Sequence, residues 1–252
     1  MTQSSPAPEL IWGRHPVLEA LKAGRPCQRL VVAQGSHGPA IDEIFALARQ
    51  AGIPFDVQER SLLDRAAGPQ HQGVIAYLAA RAYASFEEVL IGLDPRTAFL
   101  VFLDGIQDPH NLGAVIRSAH AVGADGVVVQ ERGAAGLTGA AARASAGAVE
   151  HLPVCRVNNL GRALALAKEA GLWITGLAPD GERSFTEVDF SGPCGLVVGG
   201  EGKGLRRLVR EACDFVVQIP MGRAQIGSFN ASVAAGLVFY EVFRQRRLAP
   251  GR

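Results

Sequence analysis

The sequence predicts an α/β protein: a C-terminal parallel sheet covered by helices on both faces, preceded by a smaller α/β domain. Two observations lead there. From Ala98 onward, short continuous apolar runs alternate with segments of helical periodicity. Strands apolar on both faces belong to parallel sheets sandwiched between helix layers. Residues from about 10 to 80 carry a second strand and helix alternation with its own apolar positions, enough for a small core.

Taken in order, Met1 to Pro8 lacks the basic and apolar regions of a signal peptide and reads as a short disordered lead. Gly13 to Leu21 reads as a helix and Arg29 to Ala33 as a strand. Ala40 to Ala51 is an amphipathic helix with Ile41, Ile44, Phe45, Leu47 and Ala48 on one side, stopped by Gly52. Ile53 to Val57 and Val74 to Leu78 read as strands. Residues 81–97 have weak signals, mixed charge and Pro95, and are expected to be a linker with a helical turn or two. Beyond it, Phe99–Leu103, Gly126–Gln130, Leu172–Leu177, Gly195–Gly199 and Phe215–Ile219 read as strands. Helices are expected to start near Asn111, Leu137, Asn159, Leu205 and Phe229. The domains are thus 1–80 and 98–252.

Composition narrows the function. The 252 residues are 48% hydrophobic and 19% charged, which suits a soluble globular protein. No stretch approaches 18 uninterrupted apolar residues, the least expected of a membrane-spanning helix. Cys27, Cys155, Cys194 and Cys213 have no CxxC or metal-like spacing and read as reduced, buried thiols of a cytoplasmic protein. No His, Asp and Glu cluster argues for a metal. The net charge is only +1, so any nucleic-acid partner must be met by local patches. Arg206, Arg207 and Arg210 form one basic cluster, and Arg244, Arg246 and Arg247 another. Both could contact phosphates, although the second equally suits a helix C-terminus.

Three segments share one design: an apolar strand, a polar Gly- or Asp-rich loop, then a helix. They are Phe99-Leu-Val-Phe-Leu-Asp-Gly-Ile-Gln-Asp-Pro-His-Asn-Leu-Gly-Ala-Val-Ile-Arg-Ser-Ala119, Gly195-Leu-Val-Val-Gly-Gly-Glu-Gly-Lys-Gly-Leu-Arg-Arg207 and Ile219-Pro-Met-Gly-Arg-Ala-Gln-Ile-Gly-Ser-Phe-Asn-Ala-Ser-Val-Ala-Ala-Gly236. Loops at strand C-terminal ends, next to helix starts with unpaired N–H groups, make one composite pocket. In the first segment Leu112, Val115, Ile116 and Ala119 share a helix face, and Arg117 lies far from it, facing solvent or a pocket. Asn111 has a second reading as a helix cap, and His110 as a hydrogen-bonded loop residue. The second segment is not a phosphate-binding Walker loop. Val197 stands where the opening Gly would be and Gly204 where Ser or Thr would be, and its glycines do not follow GxGxxG. In the third, Ser228 and Asn230 open a helix of very small residues that lets another backbone approach closely.

The three segments, in this order, resemble the three motifs of the SpoU-type RNA ribose 2′-O-methyltransferases. The resemblance extends to Gln70-His-Gln-Gly73 and the Arg-rich C-terminus, and so covers nearly the whole chain. It implies a trefoil-knotted α/β domain, S-adenosylmethionine (SAM) as cofactor, no metal, and a homodimer with the cofactor site near its interface. It implies that Asn111, Arg117, Glu201, Ser228 and Asn230 form the catalytic site, and that Gly199, Ile219 and Phe229 contact the cofactor. Phe229 stands where the family usually has Leu, and the loop Gly222 to Gly227 is one residue longer than in the ribosomal-RNA methyltransferases of the family that the chain resembles. The substrate implied first is a guanosine of large-subunit ribosomal RNA, and second a transfer RNA. A non-catalytic RNA-binding assembly factor would not need the five site residues. A nucleotide-binding oxidoreductase would need the fingerprint that is missing.

The first domain resembles a ribosomal-protein-like RNA-capture module. Residues 1–94 carry eight Lys or Arg against ten Asp or Glu, a formal −2, so bulk attraction to phosphate is not its mechanism. Arg14, His15 and Arg25, around the two ends of the first helix, are its candidate RNA contacts. His71 reads as a structural residue with an RNA contact as the alternative.

Overall fold

The chain divides into two units, Met1–Ala82 and Tyr83–Arg252. The structure, a computed structural model, describes residues 8–79, 82–200, 204–222 and 228–248. The expected disordered lead therefore lies almost wholly outside the described residues.

The first unit is a four-stranded sheet made of β1 (Glu9–Trp12), β2 (Cys27–Ala33), β3 (Phe55–Gln58) and β4 (Val74–Leu78), in the order β1-β4-β2-β3. β4 is antiparallel to both neighbours and β2 is parallel to β3. Alternation along a strand sends successive side chains to opposite faces. Leu30 and Val32 of β2 pack with Val17, Leu18 and Leu21 of α1 (Arg14–Lys22) and Ile41, Ile44 and Ala48 of α2 (Pro39–Gln50). Val31 and Ala33 turn the other way, onto Leu63 of α3 (Arg60–Ala67). His71 is fully buried. The Gly73 N–H donates to its Nδ1 at 2.9 Å, which places the ring proton on Nε2, 3.0 Å from the Asp64 carboxylate. The histidine thus fastens α3 to the turn before β4, in agreement with its structural reading.

The second unit is a seven-stranded, all-parallel sheet: β5 (Phe99–Asp104), β6 (Gly126–Gln130), β7 (Val154–Val157), β8 (Trp173–Leu177), β9 (Arg183–Ser184), β10 (Cys194–Gly199) and β11 (Phe215–Gln218). Its order is β7-β6-β5-β10-β8-β11-β9. The side chains of β5 alternate between two cores. Phe99, Val101 and Leu103 meet Leu112, Val115, Ile116 and Ala119 of α5 (Pro109–Ala121) and Ala235, Val238, Phe239 and Val242 of α9 (Ala231–Leu248). Leu100 and Phe102 meet Leu160, Ala163, Leu164 and Ala167 of α7 (Leu160–Glu169). Both faces are therefore covered, as the continuous apolar runs require.

The expected linker belongs to this second unit. Residues 86–91 form α4 (Phe86–Ile91), and Phe86 is buried against Phe102 with ring centroids 6.2 Å apart. One aromatic anchor is enough to dock a short helix, and it left no periodicity to read. The helix near Leu137 is α6 (Gly139–Ala144), against which α5 packs closely. A Cβ at Gly113 of α5 would strike the Ala141 carbonyl and the Ala144 side chain. The helix near Leu205 is α8 (Arg207–Glu211).

The C-terminal arginines hold α9 in place. Arg246 donates to the carbonyls of Thr97 at 2.7 Å, Ala98 at 3.0 Å, Gly192 at 2.9 Å and Phe190 at 3.1 Å. Arg244 pairs with Glu241, whose carboxyl it holds below the usual glutamate range. Arg247 lies over the Phe243 ring at 5.6 Å. Arg244 and Arg246 are thus engaged within the protein, against their reading as phosphate contacts. The opposite side of α9 exposes Val233, Leu237, Tyr240 and Leu248, a stripe spaced at helical intervals. Among the described residues no helix is long and apolar enough to cross a membrane, and no group of three His, Cys, Asp or Glu could hold a metal ion.

Candidate active site

The chain crosses from β5 outward to β6 and β7, then returns to β8 and β10 on the other side of β5. Ligand crevices form where strand order reverses in this way, beyond the strand C-terminal ends. Two cavities open there. The first, about 330 Å³, is lined by Leu177 and Ala178 after β8, Val198 to Gly200 at the end of β10, Ile219 and Met221 after β11, and Ser228, Phe229, Ala231 and Ala234 around the start of α9. The second, about 410 Å³, is lined by the loop Asp104 to Asp108, by Asn111, by Gln130 at the end of β6, by Arg132 and Gly133 after it, and by Arg206. Gly200 and Gly204 line both, so the cavities abut.

The shared wall is bare backbone. A Cβ at Gly199 would run into the Gly204 backbone, and one at Gly200 into the Gly105 carbonyl. Only glycine lets these backbone segments approach so closely, which accounts for Gly199 and Gly200. Asp104 fastens the wall. Its backbone carbonyl accepts from Gly200 N at 2.9 Å. Its carboxylate, fully buried, accepts from Arg206 N at 2.8 Å and Nε at 2.7 Å and pairs with Nη2 at 2.6 Å. These bonds span 102 positions of sequence and hold both ends of the 200–206 segment against the end of β5.

The first and third motifs also meet directly. Asn230 Nδ2 donates to Asn111 Oδ1 at 3.1 Å, while Asn230 Oδ1 accepts from Ser232 N at 3.0 Å and Val233 N at 3.3 Å. Asn230 is therefore the cap of α9, and its cap orients the amide toward Asn111. Asn111 is 8% exposed and sits inside α5. The cap of α5 is Asp108, which accepts from His110 N at 3.0 Å. The capping alternative for Asn111 is thereby removed.

Gly199, Ile219, Phe229 and Ser228 all line the first cavity. Its walls are mainly apolar, with backbone groups at one side, a lining that suits a small molecule held by apolar contact and a few polar groups. Arg117 is exposed on α5 and lines neither of these two cavities. Glu201, and most of the loop Gly222 to Gly227, lie outside the described residues. The basic cluster after the second motif is internally committed: Arg206 to Asp104, Arg207 to Glu211 and Arg210 to Asp180. Among the first-unit candidates, Arg25 forms an ion pair of 2.5 Å with Glu9, the two side chains 12% and 6% exposed. That pair removes Arg25 from the candidate RNA contacts. Arg14 Nε donates to the Gln72 carbonyl at 3.1 Å, and His15 is exposed. The sequence reading missed Asp104, Gln130 and Arg132 as site residues. Asp104 was signalled by an Asp-Gly pair ending an apolar run; the other two follow a strand whose loop carries no motif.

Residues 98–240 match the SpoU rRNA Methylase family, and residues 10–84 match a domain described as RNA 2′-O ribose methyltransferase substrate binding. A Bacillus subtilis protein named for the TrmH family of tRNA/rRNA methyltransferases is 42% identical over 94% of this chain and 96% of its own. The SpoU methyltransferase AviRb of Streptomyces viridochromogenes has a solved structure with a TM-score of 0.75 at 27% identity, covering 96% of this chain and 90% of that one. The same enzyme solved with its cofactor AdoMet has a TM-score of 0.73, covering 94% and 90%. Motif order, strand-end cavities and full-length likeness agree: the chain belongs to the SpoU family of RNA methyltransferases, which use S-adenosylmethionine.

Proposed function

We propose that the protein methylates the 2′-oxygen of a ribose in structured RNA, with a guanosine of large-subunit ribosomal RNA as the target. One observation carries the reading. The cavity walled by the second and third motifs abuts another that is edged by Asp108, Asn111, Gln130 and Arg132, and Asn111 and Asn230 meet where the motifs converge. Gly199, Ile219 and Phe229 would hold the SAM, which supplies an activated methyl group. When bound, it would supply that methyl group to the ribose 2′-oxygen, its sulfur keeping the electron pair of the broken bond and the hydroxyl proton passing to water. Asn111, Ser228, Asn230 and Glu201 orient the ribose, because placement of the nucleophile in line supplies much of such a barrier. A guanidinium keeps its proton in proteins, so Arg117 is a poor base. It acts as a cation that lowers the hydroxyl pKa and pairs with the neighbouring phosphate.

The same reading makes the first unit the RNA-capture module, with Arg14 and His15 as its contacts. It makes the enzyme a cytoplasmic homodimer, supported by the apolar stripe of α9, and threads the C-terminal segment as a trefoil knot. A transfer RNA target is the alternative, and the name of the Bacillus relative covers both RNA classes. Mapping of ribose methylation across ribosomal and transfer RNA, with and without the gene, decides between them. Loss of one methylated guanosine in large-subunit RNA is expected. Loss only in transfer RNA favours the second target, and an unchanged map removes both.

A further inference from the structure

The second cavity contains a buried polar group that the fold does not use. Gln130 ends β6, is 8% exposed and lines this cavity. Its carboxamide makes no hydrogen bond to any described residue. A carboxamide brings two donors and an acceptor. That of Gln130 has no partner among the described residues and is not one of the enclosed side-chain groups, so it opens on the cavity, where a ligand can take its bonds in place of water. Two residues on, Arg132 stands exposed at the same cavity with no carboxylate partner among the described residues. Arg206, Arg207 and Arg210 each have one. The other charged groups lining the cavity are already engaged: Asp104 by Arg206, and Asp108 as the cap of α5.

The cavity therefore offers a polar edge-reader deep inside and an unused cation at its mouth, beside Asn111 and against the backbone wall of the cofactor cavity. A group with a hydrogen-bonding edge and an attached anion fits that arrangement. We infer that this cavity receives the nucleotide whose ribose is methylated, with Gln130 on its base edge and Arg132 on its phosphate. The inference rests on the ribose-methyltransferase reading above. It requires the nucleotide to be turned out of its stack, as enzymes acting on structured nucleic acids arrange.

The test uses the full-length protein, tritiated SAM and total RNA from cells lacking the gene. Gln130→Leu keeps the side-chain volume, and Arg132→Ala removes an exposed group. Each is expected to keep the wild-type melting temperature and SAM affinity while kcat/KM for RNA falls roughly tenfold or more. The Arg132→Ala loss should sit mainly in KM, and Arg132→Lys should recover most of it, since a phosphate accepts a point charge. Wild-type KM and kcat in both variants overturn the inference, as does a loss matched by an equal loss of SAM affinity. If the wild-type protein itself transfers no methyl group to RNA, the parent reading fails and this one falls with it.

Discussion

The side-chain amide of Asn230 donates to that of Asn111 at 3.1 Å, across 119 positions of sequence. The same Asn230 caps α9 through its oxygen, so one residue sets a helix start and aims a donor at the neighbouring motif. The two roles separate by mutation. Asn230→Asp keeps the capping oxygen and loses the donor. It should hold the melting temperature and abolish methyl transfer. Asn230→Ala should lose activity and about 1 kcal/mol of stability as well. An active Asn230→Asp variant would count against the amide contact.

Asp104 should control the cofactor wall. Arg206→Ala leaves a buried carboxylate with the backbone N–H of residue 206 as its remaining donor. The pair is half-open to solvent on the arginine side, with Arg206 56% exposed. We therefore expect a loss of about 1–3 kcal/mol, not the larger cost of a fully buried pair. SAM affinity should fall with it, because Gly200 and Gly204 line the first cavity. Calorimetric titration of the variant with SAM checks this, and unchanged affinity contradicts it.

Arg117→Ala should fold and bind SAM like the wild type yet transfer no methyl group. The residue is exposed and off the apolar face of α5, so its removal costs little stability. Arg117→Lys should also fail, because the role needs both arms of a planar fork, toward the 2′-oxygen and toward the phosphate, and a point charge cannot serve the two together. Near-normal turnover in either variant removes the catalytic role.

The buried thiols set an alkaline limit. Burial pushes Cys155 and Cys194 up to about 11 and Cys213 up to about 12, from an ordinary value of 9.0. A thiol with a raised folded pKa contributes stability that is whole below the unfolded value and lost as pH rises toward the folded one. The urea midpoint should therefore drop between about pH 9 and 12, and less so in Cys213→Ala. At pH 8 the buried Cys155 and Cys194 should resist labelling until the protein unfolds, and the half-buried Cys213 should react before them.

The boundary between the units changes how the first one is tested. A cut at residue 94 would remove Phe86 from the core of the second unit. Deletion of residues 1–82 follows the observed division. The remaining protein should bind SAM with unchanged affinity and lose most of its RNA affinity. Methylation of the same RNA site at full efficiency would show that recognition lies elsewhere.

Much of this was legible in the sequence because it rests on local pattern. The continuous apolar runs of β5, β6 and β10 announce a sheet covered on both faces, and the glycines at 199, 200 and 204 announce a close backbone approach. What was not legible depends on long-range pairing. Nothing near Arg25 says that Glu9 will bury it, and nothing near Arg246 says that four distant carbonyls await it. α3 escaped notice because one buried residue, Leu63, anchors it. Gln130 reads as the last residue of a strand, and its unpaired amide exists only once the strand is placed beside the Asp104 loop.

The most direct test of the ribose assignment is the position of the transferred methyl group. Purified protein, methyl-tritiated SAM and RNA from cells lacking the gene are incubated together, and the RNA is then hydrolysed in alkali. Alkali cleaves RNA through the free 2′-hydroxyl, so a methylated ribose leaves its label in an alkali-resistant dinucleotide. The proposed reaction predicts label there. Label in mononucleotides would place the methyl group on a base and contradict it.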